Sequence, residues 1–294
     1  MIKIKKGDMV DIIAPAGFSG PERLVKAVAE LSKWGLLART NIDFSSFHPY
    51  HSDEDEMRFN DLKNAIYSDS KIIWCLRGGY GSARLLEKLS KLKKPKTVKI
   101  LIGYSDITAL HLFLNQKWGW QTIHGPMITS FSDAQFEKKC LTEIKNLLLT
   151  NKVQNEFKLT PLNPAAETTK SIIAGELLGG NLAMVQSLIG TRFELKAKDK
   201  IIFLEDINEK GYQVDRMLNH LSMSGALSKT KAIVLGDFSG GDESSGENYV
   251  PFALTRFALL QKIPVYRSSE FGHGKINRPL VIGKKYSIFK NKMK

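Results

Sequence analysis

The stretch KIIWCLRGGYGSARLLEKLSKLKKPKTVKILIGYSDITALHLF, residues 71–113, decides the fold. KIIWCL is an apolar run that stops at a glycine-rich loop, RGGYGS, Arg77 to Ser82. SARLLEKLS then has helical spacing. VKILIG is a second apolar run, and DITALHLFLNQ a second helical pattern with Ile107, Leu110 and Leu114 on one face. Neither apolar run alternates with polar residues. Strands of that kind are buried on both faces, and the helices between them supply the crossovers of a parallel sheet.

The same rhythm extends outward. Upstream, VDIIA reads as a strand ending at Pro15 and Gly17. GPERLVKAVAELSKWG follows as a helix, with Pro21 in its first turn, Leu24, Val25, Val28 and Leu31 on one face, and Gly35 past its end. DEDEMRFNDLKNAIYS is another helix, its acids gathered at the positive end of the dipole. Downstream, WQTIHG reads as a strand. Residues 150–170, TNKVQNEFKLTPLNPAAETTK with its neighbours, are polar, hold two prolines and show no period, so the domain junction is placed there. The second half restarts with strands SIIAGE, KIIFLED and KAIVLGDF, separated by the helices GGNLAMVQSLIG and YQVDRMLNHLSMSG; the helix PFALTRFALLQK follows. The expected fold is α/β: an N-terminal parallel-sheet domain over 1–155 and a smaller C-terminal α/β domain over 168–294.

Composition narrows the classes. The chain has 294 residues, 43% hydrophobic and 25% charged, which suits a globular protein of this size. No apolar run approaches the roughly 18 residues of a membrane span, and MIKIKKGDMV has no apolar core behind its charges, so a cytoplasmic location is expected. The two cysteines, Cys75 and Cys140, lack metal-ligand spacing and read as buried thiols. Net charge is +13, yet the densest basic run, KLKKPKTVK at 91–99, contains a proline and no interleaved aromatic. It reads as a solvated connector rather than a nucleic-acid site. An anionic small substrate is compatible with the charge.

Loops at the carboxyl ends of parallel strands gather in one crevice, and four of them here carry chemistry. GYSD, Gly103 to Asp106, puts Ser105 between a strand and a helix, where it is either a nucleophile in a sharp turn or a helix cap; Asp106 could cap as well. The turn departs from G-x-S-x-G because Ile107 replaces the last glycine. RGGYGS could hold a phosphate, donate an amide to an oxyanion, with Gly79 the best donor, or be a plain turn; it matches neither dinucleotide nor P-loop signatures. Glu205 and Asp206 end the strand KIIFL, with no histidine near at metal-ligand spacing. His273 lies between Gly272 and Gly274, while His111 and His220 fall in helices and His48, His51 and His124 on other loops. A serine, an acid and a histidine with N–H donors nearby are the parts of a serine hydrolase.

GDMVDIIAPAG, RGGYGSARLL, GYSDITALH, HGPM, GGNLAMVQSLIGT, LEDINEKGYQVDRML, GDF and FGHG occur in that order. As a set they resemble the LD-carboxypeptidase, or muramoyltetrapeptide carboxypeptidase, family from about residue 7 to residue 284, with weaker stretches at 36–60 and 150–170. The resemblance implies an N-terminal domain similar to class I glutamine amidotransferases and a metal-free Ser-Glu-His triad, needing no cofactor. It places the nucleophile at Ser105, the orienting acid at Glu205, the base at His273 and the oxyanion donors at the amides of Gly79 and Asp106. It further implies a site in the interdomain groove, with Arg77, Tyr80 and Asn181 as candidate substrate contacts. The implied reaction removes the terminal D-alanine of murein tetrapeptide by cutting an L,D bond during cell-wall recycling. The expected partner is therefore a small murein peptide rather than nucleic acid or membrane, and the expected assembly is a homodimer. Microcin-immunity-like peptidases, acting on peptidyl or aminoacyl nucleotides, share the triad. A non-catalytic anion-binding module is the remaining alternative.

Overall fold

The apolar run around Trp74 forms the strand Ile72–Cys75, with all four residues buried. It lies inside a six-stranded sheet whose spatial order is Leu280–Ile282, Thr122–His124, Ile100–Gly103, Ile72–Cys75, Met9–Ile13, Leu37–Thr40. The ladders joining the last five are parallel, with Val10 opposite Ile72, Ile72 opposite Ile100 and Ile102 opposite Ile123. The computed structural model describes residues 2–45, 48–134, 136–150 and 156–294. Residues 151–155, part of the expected junction, lie outside the described residues.

One face of this sheet is covered by the helix Pro21–Lys33, with Pro21 at its start and Gly35 just past its end at φ 80°. Its buried residues are Leu24, Ala27 and Leu31. Val25, expected on that face, is 67% exposed. One position off the 3.6-residue stripe is enough to turn a side chain to solvent. Trp34 and Trp74 anchor the core here, and the Trp74 indole N–H donates to the Pro126 carbonyl at 2.9 Å.

The basic run at 91–99 is not all solvated, contrary to the sequence expectation. Lys99 is fully buried, and its ammonium donates to the carbonyls of Ala65 (2.6 Å) and Ser68 (2.8 Å) and to the Ser68 hydroxyl (2.7 Å). The helix Asp55–Tyr67 has no basic residue in its own last turn. Lys99 supplies from the foot of the next strand the cation that those end carbonyls favour. Burial pulls the ammonium down to about 8.

The second sheet has eight strands in the order Phe157–Lys158, Lys292–Met293, Lys285–Phe289, Ile173–Asn181, Lys200–Ile207, Ala232–Ser239, Val265–Arg267, Thr160–Pro161. Its four inner strands from Ile173–Asn181 to Val265–Arg267 pair in parallel, and the short outer strands pair antiparallel. Two compact units result, the first comprising the described residues up to 150 plus 278–281, the second 156–277 plus 282–294. The sequence reading ran the second segment unbroken from 168 and did not contain this return at 278–281. Among the described residues no helix is long and apolar enough to cross a membrane. Cys75 and Cys140 are buried and free.

Candidate active site

Ser105 sits directly after the strand Ile100–Gly103 and has φ 63°, in the left-handed region that side chains other than glycine rarely occupy. Holding a serine there costs about 1–3 kcal/mol, which the surrounding structure must over-determine. It does so from both sides. The Gly103 carbonyl accepts N–H bonds from Gly125 (3.1 Å) and from the His111 ring (2.9 Å). A Cβ at Gly103 would fall 2.9 Å from the Ile107 side chain, so this glycine makes the room that the last glycine of G-x-S-x-G would make. Neither Ser105 nor Asp106 caps the following helix, Thr108–Trp118.

Asp106 has a different task. Its carboxylate accepts the backbone N–H of Gly81 (3.2 Å) and of Ser82 (2.8 Å), and the Ser82 hydroxyl donates to its carbonyl (2.5 Å). The glycine loop is thereby bolted to the serine turn. A Cβ at Gly78 would fall 2.9 Å from the Ser105 Cβ, so bare backbone lies against the serine. Gly79 has φ 112° and its N–H donates to no acceptor among the described residues. An open backbone donor beside a strained serine is what an oxyanion requires. Arg77 is exposed and donates to the Phe18 carbonyl at 2.8 Å. Tyr80 is 53% exposed, its ring stacked 5.2 Å from that of His51. His51, expected on an open loop, is buried and also stacks on His48 at 4.4 Å; His124 ends a buried strand.

His111 locks the turn from behind. It is fully buried; one ring nitrogen meets the Thr122 hydroxyl at 2.8 Å and the other meets the Gly103 carbonyl. A carbonyl can only accept, so Nε2 carries the proton and Nδ1 accepts from Thr122. Burial pulls this imidazole down to about 3, against the Gly103 bond that favours the cation. The folded value therefore lies below the ordinary 6.5, and the unfolded chain binds the extra proton. The stability from this residue is intact above pH 6.5 and is lost as pH falls from there toward 3. The loss should reach about 2–3 kcal/mol by pH 4.5. Denaturant unfolding of wild type and His111→Gln at pH 7 and pH 4.5 measures it; the variant should be the weaker protein at pH 7 and show a shallower decline. Equal declines would remove His111 as the cause.

In the second unit the strand Lys200–Ile207 delivers two adjacent acids to opposite faces. Glu205 is fully buried and its Oε2 lies 2.6 Å from His273 Nδ1. Asp206 turns the other way. It accepts the Asn181 side-chain amide (2.8 Å), the Ala183 N–H (2.8 Å) and the Ile207 N–H (2.9 Å). Asn181 in turn caps the helix Leu182–Ser187 by accepting the Met184 N–H at 3.1 Å. Both ends of the Asn181 amide are thus spent on the scaffold, which corrects its expected place among substrate contacts. Burial, and next the charge of Glu205, push the Asp206 carboxyl up to about 6. Burial alone would lower His273; the Glu205 carboxylate outweighs it and holds the imidazole above its usual range. The pair Glu205–His273 is brought together within one unit, while Ser105, Gly79, Asp106, Arg77 and Tyr80 belong to the other. The search for groups of three or more His, Cys, Asp or Glu suited to a metal finds none among the described residues.

Sequence reasoning missed Asp237, whose carboxylate lies under the glycines flanking His273. The signal available was the GDF segment itself, an acid at the end of an apolar run.

Known proteins share this arrangement of sequence and fold. Residues 10–125 match the LD-carboxypeptidase N-terminal domain and residues 174–288 the LD-carboxypeptidase C-terminal domain. A Rickettsia conorii protein with a provisional carboxypeptidase name is 43% identical over 83% of this chain and 76% of its own. A Bacillus subtilis protein provisionally named a murein peptide carboxypeptidase is 33% identical over 97% of this chain and 90% of its own. The crystal structure of muramoyltetrapeptide carboxypeptidase from Oxalobacter formigenes superposes with a TM-score of 0.83 at 30% identity, covering 97% of each chain.

Proposed function

We propose that this chain, which belongs to the LD-carboxypeptidase family, is a serine peptidase that releases the terminal D-alanine of a murein tetrapeptide. The observation that carries the reading is the strained Ser105, at φ 63° against the bare Gly78–Gly79 backbone. A structural serine has no need of that conformation, whereas a nucleophile gains an outward hydroxyl from it. The His273–Glu205 pair supports the same chemistry. With Nδ1–H bound to the carboxylate, Nε2 is left as the base.

In the proposed cycle His273 takes the Ser105 proton as the hydroxyl oxygen bonds to the carbonyl carbon of the scissile L,D amide. The amides of Gly79 and Asp106 receive the negative charge on the carbonyl oxygen. The C–N bond breaks as His273 returns the proton to the D-alanine nitrogen, leaving an ester on Ser105. Water, deprotonated by the same imidazole, cleaves that ester. Arg77 is the proposed contact of the terminal carboxylate, from its exposed place at the start of the glycine loop.

The test is turnover by the full chain on murein tetrapeptide and, side by side, on an aminoacyl-sulfamoyl adenosine. Release of D-alanine, with a fluorophosphonate adduct mapped to Ser105, is the expected result. Hydrolysis of the nucleotide alone would replace the substrate assignment, and no hydrolysis of either would overturn it.

A further inference from the structure

The strand Ala232–Ser239 keeps register with Lys200–Ile207 from Ala232 to Leu235, then slips before Phe238. A bulge re-aims the side chains within it, and the residues inside this one are Gly236 and Asp237. Around it the segment carrying His273 is wrapped closely. Asp237 N–H donates to the Phe271 carbonyl at 2.8 Å, and Ser268 N–H to the Leu235 carbonyl at 2.8 Å. A Cβ on Gly236 would strike the Phe271 ring at 2.5 Å. A Cβ on Gly272, which has φ 126°, would fall 2.8 Å from the Asp237 Cβ; one on Gly274 would fall 3.2 Å from Oδ2. The two glycines flanking His273 are therefore seated on Asp237, and only residues without a side chain let the loop come so near.

The Asp237 Oδ2 atom is buried and has no hydrogen-bond partner among the described residues. A buried acceptor left unbonded costs about 1–3 kcal/mol, and such a group in a folded protein calls for an explanation. Packing does not give one, because an asparagine or serine would fill the space without the charge.

We propose that Asp237 is a positioning residue for the base: its carboxylate seats the Gly272–His273–Gly274 loop and sets a second buried negative charge behind an imidazole already bound to Glu205. The imidazolium formed when His273 takes a proton is thereby stabilised by two carboxylates, one bonded to it and one beneath its loop. The charged groups facing His273 within this unit are Glu205 and Asp206 from one strand and Asp237 from the next, with Lys275 two residues along its own loop. All three acids favour the cation.

This inference rests on the base role given to His273, so the test reads the imidazole directly as well as through activity. His273 is titrated by NMR in the full chain as wild type, Asp237→Asn and Asp237→Ser, and kcat/KM is followed against pH on murein tetrapeptide. Removing the charge should lower the His273 midpoint by about half a unit or more. The acid limb of kcat/KM should move to lower pH by the same amount, with plateau kcat reduced about 3- to 30-fold and KM within twofold. A His273 midpoint unchanged or raised in a folded variant overturns the inference, whatever the substrate proves to be. A lowered midpoint in a protein that does not turn over the tetrapeptide upholds the positioning of His273 and counts only against the substrate. Should Asp237→Asn fail to fold, Asp237→Ser carries the same reading.

Discussion

Ser105→Ala should lower kcat/KM on murein tetrapeptide by about 10^4- to 10^6-fold, leaving only what the oxyanion donors and binding supply. Neither the Gly81 and Ser82 bonds to Asp106 nor the His111 bond to Gly103 involves the serine hydroxyl, so the turn itself should survive. Alanine at φ 63° carries the same steric cost as serine, and unfolding should be nearly unchanged. Ser105→Gly gives the sharper form of the test. Glycine occupies the left-handed region without strain, so this variant should be more stable than wild type by about 1 kcal/mol while equally inactive. A protein that gains stability as it loses turnover is storing strain for function. An alanine variant retaining more than about a hundredth of wild-type activity would return Ser105 to the ranks of structural serines.

The parts of this arrangement that depend on pattern could be read from the chain. Apolar runs without alternation located the parallel strands, and the glycines at 78, 79 and 81 marked a loop of unusual backbone. Parts that depend on direction could not. The serine turn lacks the last glycine of its usual signature because Gly103, two residues before Ser105, takes up the steric burden; no spacing rule encodes that exchange. Lys99 looked like the end of a basic connector because sequence shows charge but not the helix end waiting above it. Asp237 was invisible for a related reason: a bulge slips the register by an amount that hydropathy does not record. The return of 278–281 to the first sheet is a long-range pairing, and three apolar residues carry no sign of which sheet they will join.

The adjacent acids 205 and 206 are the sharpest case, and they lead to the second large effect. Along a strand buried on both faces, successive side chains point to opposite sides, and composition does not say which side holds the histidine. The structure gives Glu205 to His273 and Asp206 to three N–H donors of the scaffold. Glu205→Gln keeps the shape but removes the charge that fixes the Nδ1–H tautomer and stabilises the imidazolium. Turnover should fall about 10^3- to 10^4-fold, mostly in kcat. Asp206→Asn can replace only one of two accepting oxygens, leaving a buried N–H opposed by an amide. That variant should lose about 1–3 kcal/mol of stability while keeping kcat within about tenfold of wild type, since it touches the histidine only through charge. Its pH dependence carries a second signature. With the folded carboxyl at about 6 against 3.8 in the free residue, Asp206 contributes stability below pH 3.8 that is lost as pH rises through 6. Asp206→Asn should therefore flatten the stability profile in that window, and Glu205→Gln, by removing the neighbouring charge, should shift the Asp206 carboxyl back down. If instead the aspartate variant proves inactive and the glutamine variant works, the two acids have exchanged roles, and the 2.6 Å contact between Glu205 and His273 is a structural pair with no part in the reaction.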